Sequence, residues 1–195
     1  NNFFPFALWN SFRIGIGSAI LSSFLGLSLA ILIVNKKGIY RHFWELFSFF
    51  PIVLSSIVFG VAWFHFYQRN LSDVFPKIYI VIVMHAVLLC PFWIRMFLPS
   101  LESIPFKWHL ESIMLGKNSF QYGLNILWPW LKKTFIISFF FSFSLSLGEL
   151  NSIMMISDEE VVTIPLEIYN AISGYQFSYA SVMAVVLLLL SLSTF

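Results

Sequence analysis

Long apolar blocks separated by short polar segments dominate this chain. Ile14–Val34 is a run of 21 residues without a charge, and Leu46–Tyr67 is a run of 22. Ile78–Leu98 is apolar but interrupted by Pro91 and Arg95. Thr134–Ile156 is Phe-rich in its first half and carries one charge, Glu149. Tyr179–Phe195 is an uncharged run of 17 residues. A helix needs about 20 apolar residues to cross roughly 30 Å of hydrocarbon. The pattern therefore predicts five membrane-spanning helices, at about 14–34, 46–67, 78–98, 134–156 and 179–195. Pro51 predicts a kink near the start of the second. Gly15, Gly17, Ser18, Ser22 and Ser23 keep one face of the first small enough for close helix packing.

The segments between these blocks are informative in their own right. Residues 157–178 hold Asp158, Glu159, Glu160 and Glu167 and are too polar to span. Within them Val161–Ser173 is expected to form a short helix at the outer surface, with Pro165 in its first turn and Gly174 ending it. Residues 104–127 form a polar loop between the third and fourth spans. There His109–Leu115 favours a helix, and Gly116 suits the left-handed residue that closes many helices. Asn118 and Ser119 are good N-caps. Pro129 suits the first turn of the next long helix, where its missing N–H is not needed.

Composition agrees with this reading. The chain has 195 residues, 59% hydrophobic and 10% charged, with a mean hydropathy of +0.86. A soluble domain carries about a quarter charged residues. A net charge of +2 gives no footprint for nucleic acid. Cys90 is the lone cysteine, so there is no disulfide framework. CxxC, HExxH, Walker A and GxGxxG patterns are absent from the sequence, as is any nucleophile–base–acid set, so no catalytic residue and no metal site are assigned. The chain begins without methionine and stops inside an apolar run, which reads as a piece of a longer protein.

Charge sets the orientation. Lys36, Lys37, Arg41, Arg95, Lys107, Lys117, Lys132 and Lys133 fall in or beside two loops on one side, leaving Arg13, Arg69 and Lys77 for the other. The positive-inside bias puts the 104–127 loop in the cytoplasm, the N-terminus outside and the C-terminus inside.

Glu149, late in the fourth block, is the one intramembrane carboxylate and a functional candidate by default. It lies about 27 Å along a helix from Leu131, so a role shaping the outer mouth of a pathway is expected ahead of substrate contact. Ser142 and Ser146, with Ser138 and Ser144, would either line a polar path or bond helix to helix. His65 and His85 read as packing histidines. Lys107 and Glu111 can pair across one helical turn.

The stretch LESIMLGKNSFQYGLNILWPWL at 110–131 resembles the cytoplasmic signature loop of binding-protein-dependent ABC importer permeases. The Leu115–Gly116 pair and the thirteen-residue spacing from Gly116 to Pro129 follow the family pattern. Glu111 stands one residue closer to the glycine than the pattern has it, and Ser112 replaces an alanine. SLGEL at 146–150 resembles the Leu-Gly-Glu-Phe-Gly segment of the branch serving sulfate, molybdate, ferric iron and thiamine. TIPLEIYNAISGYQFSYASVMAVVLLLL at 163–190 is similar to the second half of fused thiamine or ferric-iron permeases.

The resemblance implies an all-α, five-span permease core in a bacterial cytoplasmic membrane, in contact with membrane lipid. Glu111, Ser112, Gly116, Lys117 and Pro129 would belong to the loop that couples to an ATPase. Glu149, Ser142 and Ser146 would line the pathway. The implied partners are a homodimer of ATPase subunits holding ATP and Mg, a second permease core (fused upstream or separate), and an extracytoplasmic binding protein. The chain itself would hold no cofactor and be no enzyme. Thiamine or ferric iron is the expected substrate. The alternative is a secondary transporter or channel subunit not driven by ATP, which would need intramembrane charges or broken helices along an ion path.

Overall fold

The computed structural model describes residues 3–70, 75–114, 116, 118–156 and 161–194. Among these the structure is helical, without a strand. Among the described residues three helices are long and apolar enough to cross a membrane: residues Phe4–Val34, Lys77–Glu102 and Gly123–Gly148. The chain is an all-α polytopic membrane protein.

Helix α1 (Phe3–Val34) is the centre of the bundle, packed along α5 (Lys77–Glu102) and α8 (Trp128–Gly148). Its small residues make this possible. A Cβ added at Gly26 would stand 2.3 Å from Trp93 Cβ, and one at Gly15 would stand 2.8 Å from the Phe143 ring. Between helices in lipid such fit replaces the hydrophobic drive available in water. Ala30, Trp93, Phe97, Leu101 and Leu131 form a core at one end. Ile14, Val81, Met84, Ile153, Val161 and Leu166 form another at the opposite end. The first apolar block starts well before residue 14, because Phe3–Arg13 continue the same helix.

The second block is not one helix, and this corrects the 46–67 span. It is divided among α2 (Ile39–Ser48), α3 (Phe50–Val53) and α4 (Ser56–Asn70). Pro51 sits in the first turn of α3 and so begins a helix instead of kinking one. Leu54 then turns extended, at φ −73° and ψ 139°, which separates α3 from α4. Helix α2 buries none of its residues. Its Arg41 bonds Glu45 at 2.6 Å and also Glu102 at the end of α5. Hydrogen bonding to Glu45, then to Glu102, raises the Arg41 guanidinium above its ordinary pKa.

The third block runs on as α5 through Pro91 and Pro99 to Glu102, past the expected end at 98. Prolines persist inside membrane helices where neighbouring groups take up the freed carbonyls. The fourth block both starts and stops early relative to 134–156. Helix α8 ends at Gly148, Glu149 is extended at ψ 114°, and the short α9 (Asn151–Met154) follows. Helix α10 (Ile164–Ser173) has Pro165 in its first turn and ends at Gly174. It is tied to α1: the Ile164 N–H donates to Ser11 Oγ at 2.9 Å, and Asn10 Nδ2 donates to the Val162 carbonyl at 3.2 Å. The last helix, α11 (Phe177–Ser193), has 17 residues. Asp158, Glu159 and Glu160 lie outside the described residues.

Candidate functional site

Two regions collect the residues singled out by sequence. The first is the elbow at the end of the bundle where α1 and α5 finish. Helix α6 (Phe106–Met114) opens it. Gly116 follows with φ +68° and nothing within 4 Å of a would-be Cβ, so its role is conformational and not steric. Asn118 and Gln121 then cap each other. Asn118 Oδ1 accepts from the Gln121 N–H at 2.9 Å, and Gln121 Oε1 accepts from the Asn118 N–H at 3.3 Å. This is a reciprocal capping arrangement, and it starts α7 (Ser119–Tyr122). A π-helical turn, Gly123–Leu127, leads directly into α8.

Pro129 is the second residue of α8, in its first turn as expected, although the π-turn makes the path into it continuous. Glu111 is exposed, as are Leu110 and Met114, the last at 85%. Ser112 is 2% exposed and faces the bundle. The elbow's open face thus holds Glu111 without Ser112. Lys117 lies outside the described residues.

A residue that drew no attention in the sequence fastens this elbow. Trp130 Nε1 lies 3.1 Å from both the Ser100 carbonyl and Ser103 Oγ, at the end of α5. Its ring meets Trp108 of α6 edge-on, with centroids 5.2 Å apart. Ser100 Oγ also meets Thr134 Oγ1 at 2.9 Å. Three elements, α5, α6 and α8, converge on one indole.

The second region is a cavity of about 280 Å³ farther along the bundle. Its polar lining is Ser56, His85, Ser146 and Glu149. Leu54 and Pro51, from the break in the second block, form part of the wall. The buried His85 Nδ1 lies 2.8 Å from Ser146 Oγ. Ser18 Oγ is 3.1 Å from both Ser146 Oγ and the Gly15 carbonyl, one proton facing two acceptors. A serine–serine–histidine contact, with Ser146 in the middle, thus joins α1, α5 and α8. Among the described residues His85 Nε2 has no hydrogen-bond partner, so the histidine is only half satisfied by packing.

Glu149 is half-buried and beside this cavity, just past the end of α8 opposite the elbow. Its Oε1 accepts from the Ser152 N–H at 3.1 Å and from Ser152 Oγ at 3.2 Å. The carboxylate is therefore already committed to holding the first turn of α9. Ser142 is buried with no partner for its hydroxyl among the described residues, as is Ser138, one turn away on the same face of α8. The cavity lining includes Ser146 but not Ser142. His65 is exposed. Among the described residues no group of three or more metal-ligating side chains comes together.

No family model matches the sequence. Similarity to individual proteins is extensive. The thiamine transport system permease protein ThiP of Brucella abortus (strain 2308) is 25% identical over 189 residues, 96% of this chain and 35% of that protein. The probable sulfate transport system permease protein cysT of Prototheca wickerhamii is 33% identical over 127 residues, 63% of this chain and 49% of that one. The protein of the same description from Chlorella vulgaris is 28% identical over 192 residues, 91% of this chain and 71% of that one. The chain spans about a third of the length of the ThiP protein it matches.

Proposed function

We propose that this chain, a relative of transport-system permeases along nearly all its length, is the membrane-spanning core of an ABC importer. It supplies a passage and a lever and makes or breaks no bond. ATP and Mg would sit on a separate ATPase pair, and an extracytoplasmic binding protein would deliver the solute. A second permease core would complete the passage. The membrane would be the bacterial cytoplasmic one, with the elbow inside.

The observation that carries this reading is the elbow itself. A short exposed helix stands on a left-handed glycine and is tied by Trp130 to the ends of two long helices. A push on α6 would reach α5 and α8 through that indole and change the angle between them. At the far end of the same helices lies the polar cavity with the broken second segment in its wall. Tilting α5 against α8 would alter its width. The core would thus alternate between a passage closed and a passage open to the outside.

Thiamine or ferric iron remains the substrate that the sequence resemblance favours, and the relatives' names include sulfate as well as thiamine. The Glu149 carboxylate is occupied by Ser152, which supports a structural role for it over pairing with a cationic solute. A second reading, an ATP-independent transporter, draws support from the discontinuity at Leu54 and from Glu149, since such proteins build sites at broken helices.

One experiment separates the two. Gly116→Asp forces a side chain into a left-handed turn, at a strain of about 1–2 kcal/mol, small for the bundle but placed on the docking face. In vesicles holding the reconstituted complex, membrane abundance should be normal, uptake should be lost, and ATPase activity should no longer respond to loaded binding protein. Uptake that persists without ATP, or that is untouched by Gly116→Asp, would refute the importer reading.

A further inference from the structure

Two cavities near the end of α1 share one side chain. The first, about 390 Å³, is lined by Asn35, Lys36, Lys37, Tyr40 and Trp44. The second, about 340 Å³, is almost wholly apolar and lies between α1, α5 and the α2–α4 stretch, with Leu29, Phe47 and Val87 in its walls. Trp44 belongs to both. A cationic mouth and a greasy cleft therefore adjoin across one indole.

The charges in the mouth are available. Arg41, one turn along α2, is taken by Glu45 and Glu102. Among the described residues no ion pair involves Lys36 or Lys37. Around them the aromatic face of α2, with Tyr40, Phe43 and Phe47 exposed, has the make-up of a helix lying at a membrane interface. A purely apolar occupant, such as a neighbouring helix, would leave two lysines unanswered. A soluble anion would leave the cleft empty.

We propose that the composite site binds one anionic phospholipid, with its phosphate at Lys36 and Lys37 and an acyl chain in the cleft beyond Trp44. The proposal rests on membrane embedding alone and holds whichever solute the protein carries and whatever drives it. It also links lipid to the passage. Pro51 and Leu54 line both the apolar cleft and the polar cavity of His85 and Glu149. A bound chain would press on the same short break that walls the passage.

The test is a titration of the full chain in non-ionic detergent with phosphatidylglycerol, phosphatidylcholine and glycerol 3-phosphate, read by native mass spectrometry and by melting. Juxtamembrane lysines each favour anionic lipid, so phosphatidylglycerol should bind about tenfold or more tighter than phosphatidylcholine. The double variant Lys36→Gln/Lys37→Gln should erase that preference and leave phosphatidylcholine binding as it was. Val87→Trp, which fills the cleft, should weaken both lipids. If Val87→Trp melts lower without lipid, the lysine double variant decides alone, since both lysines are exposed. Glycerol 3-phosphate should give no shift. Equal binding of the two lipids, an unchanged preference in the double variant, or stabilisation by glycerol 3-phosphate equal to that by lipid would overturn the proposal. So would a photo-crosslinker at Ile33 that captures a second protein chain in place of added lipid.

Discussion

Replacing Gly26 by alanine adds a single methyl group, but at a point where α1 and α5 leave no room for it. The new Cβ would stand 2.3 Å from Trp93 Cβ and 3.2 Å from Trp93 Cγ. Carbon atoms in contact prefer about 3.5–4.0 Å. Trp93 Cβ is fixed to the α5 backbone, so no rotamer change moves it. The helices must part by more than about 1 Å, and a radial gap of about 0.5–1 Å already forfeits a quarter to a half of each dispersion contact along the seam. Trp93 itself is fully buried, with Phe97 and Phe135 both at 5.3 Å between ring centroids, so its neighbours cannot yield either. Overpacking of this kind costs about 1–3 kcal/mol. For a chain of this size that is about 2–12 °C in melting temperature. The assay is tryptophan-fluorescence melting in detergent, with Gly148→Ala as the control, because nothing lies within 4 Å of its added Cβ. The control should melt within about 0.5 kcal/mol of the parent. If Gly26→Ala also melts with the parent, α1 and α5 are not packed at this seam.

Ser146→Ala removes the hydroxyl between His85 and Ser18; Ser18 keeps the Gly15 carbonyl, but the buried His85 is left unsatisfied, which should lower stability by about 1–3 kcal/mol, measured by the same melting assay, whereas an unchanged melt would mean the three side chains do not meet. Glu149→Gln keeps an oxygen for Ser152 and should hold uptake within about tenfold of the parent, equivalent to about 1.4 kcal/mol. A deeper loss would show that the negative charge itself takes part in transport. Trp130→Phe keeps a ring against Trp108 but loses the N–H given to Ser100 and Ser103; in reconstituted vesicles ATP hydrolysis should continue while uptake falls, and proportionate loss of both would refute its place in the lever. With Cys90 replaced by alanine, cysteines at Glu111 and Gln176 should react with an impermeant reagent from opposite faces of the membrane, and labelling of both from one face would refute the orientation.

Local chemistry made part of this molecule legible in advance. Gly116 needed only its own backbone freedom to be read as a left-handed turn, and its φ of +68° agrees. Asn118, Pro165 and Gly174 likewise announce helix ends within a few residues of themselves. Hydropathy, in contrast, reports greasiness and not continuity. It ran past the extended Leu54 and past the end of α8 at Gly148, because Ile57 and Leu150 continue an apolar run whether or not the backbone is helical. Pro51 and Pro91 show the same limit from the other side. One begins a helix and the other lies inside one, and only the packing around each decides which. The candidate cavity was least legible. Ser18, His85 and Ser146 meet across separations of 128 and 61 residues, and no periodicity within a single block predicts which faces will turn toward one another. Trp130 was hidden for a similar reason, since its partners lie 27 and 30 residues upstream.

The π-helical turn at Gly123–Leu127 has a consequence for how this chain tolerates change in length. Such a turn holds one residue more than an α-turn. An extra residue in an ordinary helix would swing everything after it by about 100°; here the surplus is stored locally, just before Pro129, whose ring would otherwise collide with the carbonyl four residues back. Deleting one residue from 123–127 would remove the surplus and leave α8 unrotated, with the Pro129 ring then set against the carbonyl four residues back. Ser138, Ser142 and Ser146 would still point into the bundle. The same deletion three turns later would carry that row of serines out to the lipid. The bulge acts as a phase adjuster between the elbow and the bundle, a place where the chain can lose one residue while the serine row keeps its bearing.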